Sequence, residues 1–332
     1  MEKKKRVSYA KYGYFFVIPF VLAFAICMLY PIIYTIIISF TDMQGAFATE
    51  WHFLGGDEGS IFANYKYLIQ ENDMFLTAVK NTFKIWILNF IPQILLALLL
   101  AAWFTNNSLK VKGQGFFKFV FYLPNIMTAS TIAILFHALF LNSANGPVNA
   151  ILLDLGIIDK YVDWDIQGGA VQLIIAFIQF WMWYGNTMIV LIAGILGISP
   201  ELYEAASIDG ATGTQQFFRI TLPNLKTILL YTLVTSMVGG LQMFDIPKVY
   251  LDGRPNNASL TTSVFIQKLA FEGKNRYQVA SAASMIMFAI ICVISAFMFF
   301  LMRDKDEEAL YKMNKKKEKE FKKKLKEQGG AI

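Results

Sequence analysis

The stretch YGYFFVIPFVLAFAICMLYPIIYTIIISFT, residues 12–41, runs without an Asp, Glu, Lys or Arg from Lys11 to Asp42. The hydrocarbon core of a bilayer is about 30 Å thick and an α-helix rises about 1.5 Å per residue, so roughly 20 apolar residues cross it. Residues 12–40 therefore read as a spanning helix with length to spare for tilt. A cleaved signal peptide shares the basic start, here Lys3, Lys4, Lys5 and Arg6, but its apolar run is much shorter. Phe24-Ala25-Ile26-Cys27 has the form of a lipoprotein processing site, yet more apolar sequence follows Cys27 immediately.

Working outward, charge-free intervals lie between Lys84 and Lys110, Lys118 and Asp154, Asp165 and Glu201, Lys226 and Asp245, and Arg276 and Arg303. They place further spans at about 78–106, 117–142, 169–198, 224–246 and 277–302, the fifth being short. These runs exceed the 9 to 11 residues or so of a barrel strand, and lipid leaves no partner for an open backbone. The expected fold class is an all-α membrane protein with six transmembrane helices over 12–302. A basic N-terminus, 1–11, and a charged tail, 303–332, flank it. Composition agrees: 56% of residues are apolar and 16% charged, against about a quarter charged in a soluble domain.

The net charge of +6 is sorted along the chain. Lys3 to Lys11, the connection with Lys110, Lys112 and Lys118, and the tail after Phe300 with eleven basic residues fall on one side when six spans are threaded. That side is expected to be the cytoplasm, with both termini in it, and the membrane a plasma membrane. The other side receives 42–75, with one Lys and six acids, and 142–168, with one Lys and four acids. The loop after span five is an exception, since Lys248, Arg254, Lys268, Lys274 and Arg276 would lie outside. Sorting of this kind points to the lipid bilayer as partner and away from nucleic acid. The tail is Lys- and Glu-rich, without a uniform apolar stripe, and reads as a solvated segment attracted to anionic lipid.

Several functions are excluded by what the chain lacks. Cys27 and Cys292 sit in apolar runs without Cys-x-x-Cys spacing, which removes a disulfide framework, a zinc ribbon and a thioredoxin-type site. His52 and His137 stand in unrelated contexts, so no metal site and no cofactor is expected. No Gly-x-x-x-x-Gly-Lys-[Ser/Thr] loop is present to hold nucleotide phosphates. Nor do the spans carry the ionisable groups of a proton or ion relay, which counts against a secondary, ATP-independent transporter of a small polar solute. An integral membrane enzyme or receptor would call for a Ser/His/Asp or metal constellation that the sequence does not offer.

The informative connection is 199–223, between spans four and five. Ser199 stands at an N-cap, Pro200 at the first helical position and Glu201 in the first turn, so a short helix is expected from Pro200 to about Ile208. Asp209-Gly210 supplies a turn, Gly213-Thr214 a second break, and Phe217, Phe218, Ile220 and Leu222 an apolar piece before Pro223 opens span five. The result is two short helices joined by a glycine bend.

Glu204-Ala205-Ala206-Ser207-Ile208-Asp209-Gly210-Ala211, followed by Ile220, Leu222 and Pro223, resembles the E-A-A-x-x-x-G-x(9)-I-x-L-P signature of permease subunits of binding-protein-dependent ABC importers. The Asp-Gly-Ala version, with Leu29-Tyr30-Pro31, Ser39-Phe40-Thr41-Asp42 and Asn64-Tyr65, resembles the carbohydrate-uptake branch of maltose and glycerol-phosphate type. The resemblance extends from about Phe15 to Met302. Two positions depart from it: Gly253-Arg254-Pro255 stands where Gly-Gly-Pro is frequent, and Thr227 where a proline often follows the loop.

The resemblance implies that 199–223 is a cytoplasmic coupling loop whose first helix docks on an ATPase subunit. Glu204 would pair with a basic residue, Ala205 and Ala206 would permit close approach, Asp209 and Gly210 would form the bend, and Pro223 would open span five. It further implies a second, non-identical permease subunit, an extracytoplasmic sugar-binding protein and transport by alternating access. ATP hydrolysis would reside on the partner, so this chain has no catalytic residue. Sugars present hydroxyls and flat apolar faces, which amides beside aromatics suit. Trp183, Asn186, Ser236, Gln242 and Phe244, on or beside spans four and five, are accordingly the candidate lining of the solute path.

Overall fold

The computed structural model describes residues 10–45, 48, 50–55, 59–106, 112–141, 146–273, 275–302 and 313–321. Lys3 to Arg6, Lys110, Lys274 and most of the basic tail lie outside the described residues. Five helices are long and apolar enough to cross a bilayer: α1, Tyr12–Ser39; α2, Asp73–Thr105; α6, Gly168–Leu196; α8 with α9, Lys226–Tyr250; and α11, Tyr277–Leu301. A sixth span exists if α3, Gln114–Ile126, and α4, Ala129–Leu139, are counted as one. Among the described residues the one non-helical pairing is an isolated antiparallel bridge between Thr41 and Phe53.

Two helices depart from the continuous spans expected. The third, read over 117–142, is bent by 93° between α3 and α4. Pro124 lies in the last turn of α3, and Met127 takes extended backbone at φ −78, ψ 149, so the ladder stops there. The fifth, read over 224–246, starts as α8, Lys226–Leu241, and stops at Gln242. It resumes as α9, Asp245–Tyr250, after Phe244 at φ −129, ψ −58. Inside α1 the residues Ala25–Leu29 form a π-helical turn, and none of the side chains in the apolar window of this helix is buried within the chain.

The chain divides into two compact units. One comprises 1–85, 129–175 and 241–290, and the other 86–128, 176–240 and 291–332. The second is built on α2 and α6. Ala97, Leu100, Ala101 and Phe104 recur at helical spacing on one face of α2 and pack with Tyr184, Met188, Leu191, Ile192 and Ile195 of α6 and with Leu225. Small residues let backbones approach, because lipid tails leave packing rather than water exclusion to join helices. A Cβ at Gly185 would lie 2.0 Å from the Phe121 carbonyl oxygen, and one at Gly194 would lie 2.4 Å from an Ile228 methyl.

The first unit gathers Leu68, Phe75, Ala78, Leu260, Val264, Phe265, Val279, Ala282 and Ala283, from 63–71, α2, α10 (Thr262–Phe271) and α11. Its buried amides hold chain ends. Asn64 donates to the carbonyls of Ser39 and Thr41, each at 2.9 Å, where α1 stops. Asn149 of α5, Pro147–Asp154, donates to Leu141 and Val162, each at 3.0 Å. Two basic residues after span five are ion-paired: Lys248 Nζ lies 2.9 Å from an Asp252 carboxylate oxygen and 2.6 Å from Glu272, and Lys268 Nζ lies 3.2 Å from Asp252. Burial alone would raise the Asp252 carboxyl, but hydrogen bonds from Lys248 and Lys268, with their charges, outweigh it and hold the group below its ordinary value. Arg276 stacks on the Tyr67 ring and donates to its hydroxyl at 3.1 Å. Of the residues that break the charge sorting, Lys248 and Lys268 are thus neutralised by Asp252 and Glu272, while Arg276 keeps its charge against a ring.

The close approach at Gly185 makes a paired prediction. Gly185→Ala drives a methyl into the Phe121 carbonyl, whereas a Cβ at Gly239 meets nothing within 4 Å. The first variant should lose about 1–3 kcal/mol, as overpacked cores do, while Gly239→Ala should be neutral or gain up to about 1 kcal/mol of helix propensity. Melting of the detergent-solubilised proteins measures both, and equal melting points would refute the packing argument.

Candidate coupling and transport sites

The coupling segment follows α6. Its first helix, α7, occupies Pro200–Ile208, with Pro200 at the first helical position. Ser199 holds the N-cap place and its carbonyl accepts from Leu202 N–H at 3.2 Å, but its side chain makes no capping hydrogen bond. The expected capping role of that side chain is therefore corrected. At the other end Asp209 N–H reaches Ala205 O at 3.0 Å, Gly210 turns at φ +78, and Ala211 N–H reaches Ala206 O at 2.8 Å. A Cβ at Gly210 would meet nothing within 4 Å, so glycine serves the left-handed backbone and not a close approach.

The side-chain cap appears one helix later. Thr212 accepts from Gln215 N–H at 3.3 Å while the Gln215 amide oxygen accepts from Thr212 N–H at 2.8 Å, a capping box that opens Gly213–Gln216. A π-helical turn, Phe217–Thr221, and Leu222–Asn224 with Pro223 in its first turn lead into α8. Two hydrogen bonds brace the pieces across the bend: Tyr203 Oη with Thr221 Oγ1 at 2.9 Å, and Gln216 Nε2 donating to Ser207 Oγ at 2.9 Å. Glu201, Glu204, Ala205 and Ile208, spaced as one helical face, are exposed, and Ile208 is 86% so. Chemically this is a stiff two-helix prong offering two carboxylates and an apolar tip. The sequence reading passed over Ile208 and the braces, although Ile208 stands four residues after Glu204.

The candidate path residues are divided between the two units. Trp183 and Asn186 lie three apart on α6, and Ser236 lies in the same unit on α8; Trp183 is 46% exposed. Gln242 and Phe244 belong to the other unit, at the break between α8 and α9. Phe244 packs on the cluster around Leu260 and Phe265, and Gln242 is exposed. Thr261 donates to the Met243 carbonyl at 3.0 Å, which replaces a helical partner lost in the break. Span two adds amides that sequence reasoning missed. Asn89 and Gln93 are buried one turn apart on α2, and Gln93 Nε2 donates to Thr187 Oγ1 at 2.7 Å. Their signal was two amides at helical spacing inside a charge-free run.

The histidines pair with carboxylates. His137 Nε2 lies 3.2 Å from Asp165 with its ring edge-on to Tyr250, and His52 lies 3.7 Å from Asp42. Among the described residues no three His, Cys, Asp or Glu side chains gather as metal ligands.

Comparison with known proteins agrees with this arrangement. Residues 81–304 match the family described as binding-protein-dependent transport system inner membrane component. The lactose transport system permease protein LacF of Rhizobium radiobacter is 29% identical over 313 residues, 92% of this chain and all of that protein. The arabinooligosaccharides transport system permease protein AraP of Bacillus subtilis is 33% identical over 285 residues, 85% of each chain. A chain of a bacterial ABC transporter that imports the acidic polysaccharide alginate superposes with a TM-score of 0.72 at 27% identity, covering 88% of this chain and 95% of that one. A second structure of an alginate ABC transporter, with an alginate pentasaccharide-bound periplasmic protein, gives 0.70 at 27% identity, covering 87% and 93%. With its charge-free helices and its glycine-bent prong after α6, the chain belongs to the family of inner membrane components of binding-protein-dependent transport systems.

Proposed function

We propose that this chain is one transmembrane subunit of an importer that carries a sugar or oligosaccharide into the cell by alternating access. ATP is hydrolysed on separate cytoplasmic subunits, a second permease chain completes the path, and an extracytoplasmic binding protein delivers the solute. The observation that carries this reading is the braced prong of 199–223, on a chain of this family. It supports a docking role because its two helices are tied across the bend and its exposed face carries Glu204, Ala205 and Ile208. A loop that transmits force needs that stiffness. The lactose and arabinooligosaccharide permeases among its relatives support a sugar as the solute. A proton- or ion-coupled transporter would need ionisable groups inside its spans, and the charge-free runs supply none.

In this mechanism Glu204 pairs with a cation of the ATPase, Ala205 and Ala206 allow the backbones to approach, Ile208 fills an apolar pocket, and Asp209 with Gly210 maintains the bend. ATP-driven closure of the ATPase pair moves the prong as a body. α6 and α8 flank it in the chain and receive the displacement first. Trp183, Asn186 and Ser236 lie on these helices, and Gln242 and Phe244 lie just beyond α8 at the break. Non-helical backbone at membrane depth is tolerated where it faces protein or a water-filled cavity, which suits a solute path at 242–244.

Three experiments test the parts separately. With Cys27 and Cys292 replaced by Ser, a cysteine at Asp163 should react with a membrane-impermeant maleimide in intact cells and one at Ala205 should not; labelling at 205 would overturn the orientation. Glu204→Lys sets like charges against each other, at a cost of several kcal/mol in order of magnitude. The protein should remain in the membrane while copurification with the ATPase and uptake both collapse, and wild-type copurification would remove the docking role. Asn186→Ala and Gln242→Ala each delete a hydrogen bond to the solute, worth about 1–3 kcal/mol, or roughly fivefold to a hundredfold in affinity. Labelled-sugar uptake that stays unchanged in both variants and in Trp183→Ala would reject the lining assignment.

A further inference from the structure

Within the first unit, the N-terminal turns of α2 and α6 and the turn 255–258 border an open recess of about 330 Å³. This lies at the lower end of the ~300–1,000 Å³ range of small-molecule sites. Its walls are held by hydrogen bonds that leave other groups over. Asn81 of α2 donates to the carbonyls of Asn257 and Leu260 at 2.6 and 3.2 Å and accepts from Gln172 Nε2 of α6 at 3.0 Å. The same Gln172 nitrogen donates to Ala258 O at 3.0 Å. Thr82 and Thr262 hydroxyls meet at 3.0 Å beside this knot. The framework is thus built from neutral amides and hydroxyls fixed to two long helices.

What faces the recess is of the same chemistry. Gln172, whose nitrogen is committed to Asn81 and Ala258, lines it with its amide. Thr77, Asn256 and Asn257 add a hydroxyl and two amides. Gly168 and Gly169 add backbone N–H groups from the first turn of α6, which have no intrahelical partner. Pro255 contributes an apolar face. No charged side chain lines it, and Lys248, Asp252, Lys268 and Glu272 of the same unit are occupied with one another. Interleaved fixed donors and acceptors beside an apolar face suit a ligand whose own groups are both donors and acceptors. Hydroxyls are such groups, and carboxylates are not. An acidic sugar would bring a charge with no partner in the recess, a loss larger than a neutral hydrogen bond returns.

We propose that this recess is a binding subsite for one unit of a neutral oligosaccharide, distinct from Trp183, Asn186 and Gln242. The proposal rests on the sugar-importer reading above, which puts the N-terminal ends of α2 and α6 on the outer side. The solute would enter there before it reaches the break at 242–244, whose Met243 carbonyl is tied through Thr261 to the segment that follows the turn.

Gly169 provides the test, since a Cβ there meets nothing within 4 Å and its φ is not left-handed. Gly169→Trp fills the recess without forcing backbone apart. Asn256→Gly removes an amide while keeping the left-handed φ of +45 that glycine accepts. The full transporter, with its ATPase, second permease and binding protein, is reconstituted and supplied with lactose, raffinose, an arabinotriose, diacetylchitobiose or a mannuronate trimer. The readout is sugar imported per ATP hydrolysed. We expect the wild type to import at least one neutral sugar and not the mannuronate. Gly169→Trp should lower its imported-sugar-to-ATP ratio about tenfold and Asn256→Gly about threefold. An unchanged ratio in both variants overturns the proposal. So does a parallel fall of uptake and ATP hydrolysis in both, which would mark the recess as a seat for the binding protein. Import of the mannuronate alone overturns the neutral class. A wild type that imports nothing, or imports without ATP, instead refutes the importer reading on which the proposal rests.

Discussion

A backbone N–H or C=O that loses its helical partner in hydrocarbon has no water to turn to, and each such loss costs several kcal/mol. A hydrogen bond that merely replaces one to water is worth about 1 kcal/mol. That difference governs where the buried polar side chains of this protein are placed. Asn64 takes the carbonyls of Ser39 and Thr41 where α1 ends, and the Gln114 amide takes that of Phe104 near the end of α2. Thr261 takes Met243 at the break, Asn149 takes Leu141 and Val162, and Asn81 takes Asn257 and Leu260. Each is an amide or hydroxyl aimed at a carbonyl at a helix end, at a break or in a connecting segment. Charged donors would do the same with more energy but would need pairing of their own.

The same economy of charge distinguishes the two kinds of site. Where the chain is exposed and proposed to meet a protein, at 199–223, carboxylates stand on the surface and two side-chain bonds stiffen the bend. Where it is proposed to meet a solute, amides, hydroxyls and aromatic rings prevail. In the loop after span five, Lys248 and Lys268 are bound into pairs with Asp252 and Glu272, and Arg276 is stacked on Tyr67. The two paired lysines therefore add little field to the surrounding surface, which lets them stand apart from the bias that sorts the other basic residues.

The helices were legible in the sequence because a membrane span announces itself by the absence of charge, which needs no knowledge of neighbours. The prong was legible for a related reason: Pro200, Gly210 and Pro223 impose local backbone constraints that hold wherever the segment lies. Some of the features that escaped depend on partners distant in sequence. The break at 242–244 looks like ordinary apolar sequence, and the carbonyl of Met243 there is taken by Thr261, eighteen positions away. Ser199 was assigned a cap from its type and place, whereas the side-chain cap is on Thr212, whose partner Gln215 was in plain view three residues on. Amides in spans proved the hardest to read. Asn81 and Gln172 stand 91 residues apart and meet at 3.0 Å, and no periodicity marks that meeting.

These constraints bear on why the energy source should lie outside the chain. A transporter that draws on an ion gradient must hold an ionisable group or bare cation site within its spans, and must stabilise it through both halves of a cycle in a medium where isolated charge is costly. This chain spends many of its buried polar groups on helix ends, breaks and connections, and others, such as Gln93 with Thr187, on each other. What remains along the proposed path, an indole, amides, a hydroxyl and a phenyl ring, binds a neutral solute about equally before and after a tilt of the helices, and so supplies no directional work. In the importer proposed above, direction enters through a stiff external contact. The prong that links α6 to α8 is the exposed, braced and charged segment proposed for it, so that the proposed division of labour between subunits agrees with how this sequence satisfies its own backbone.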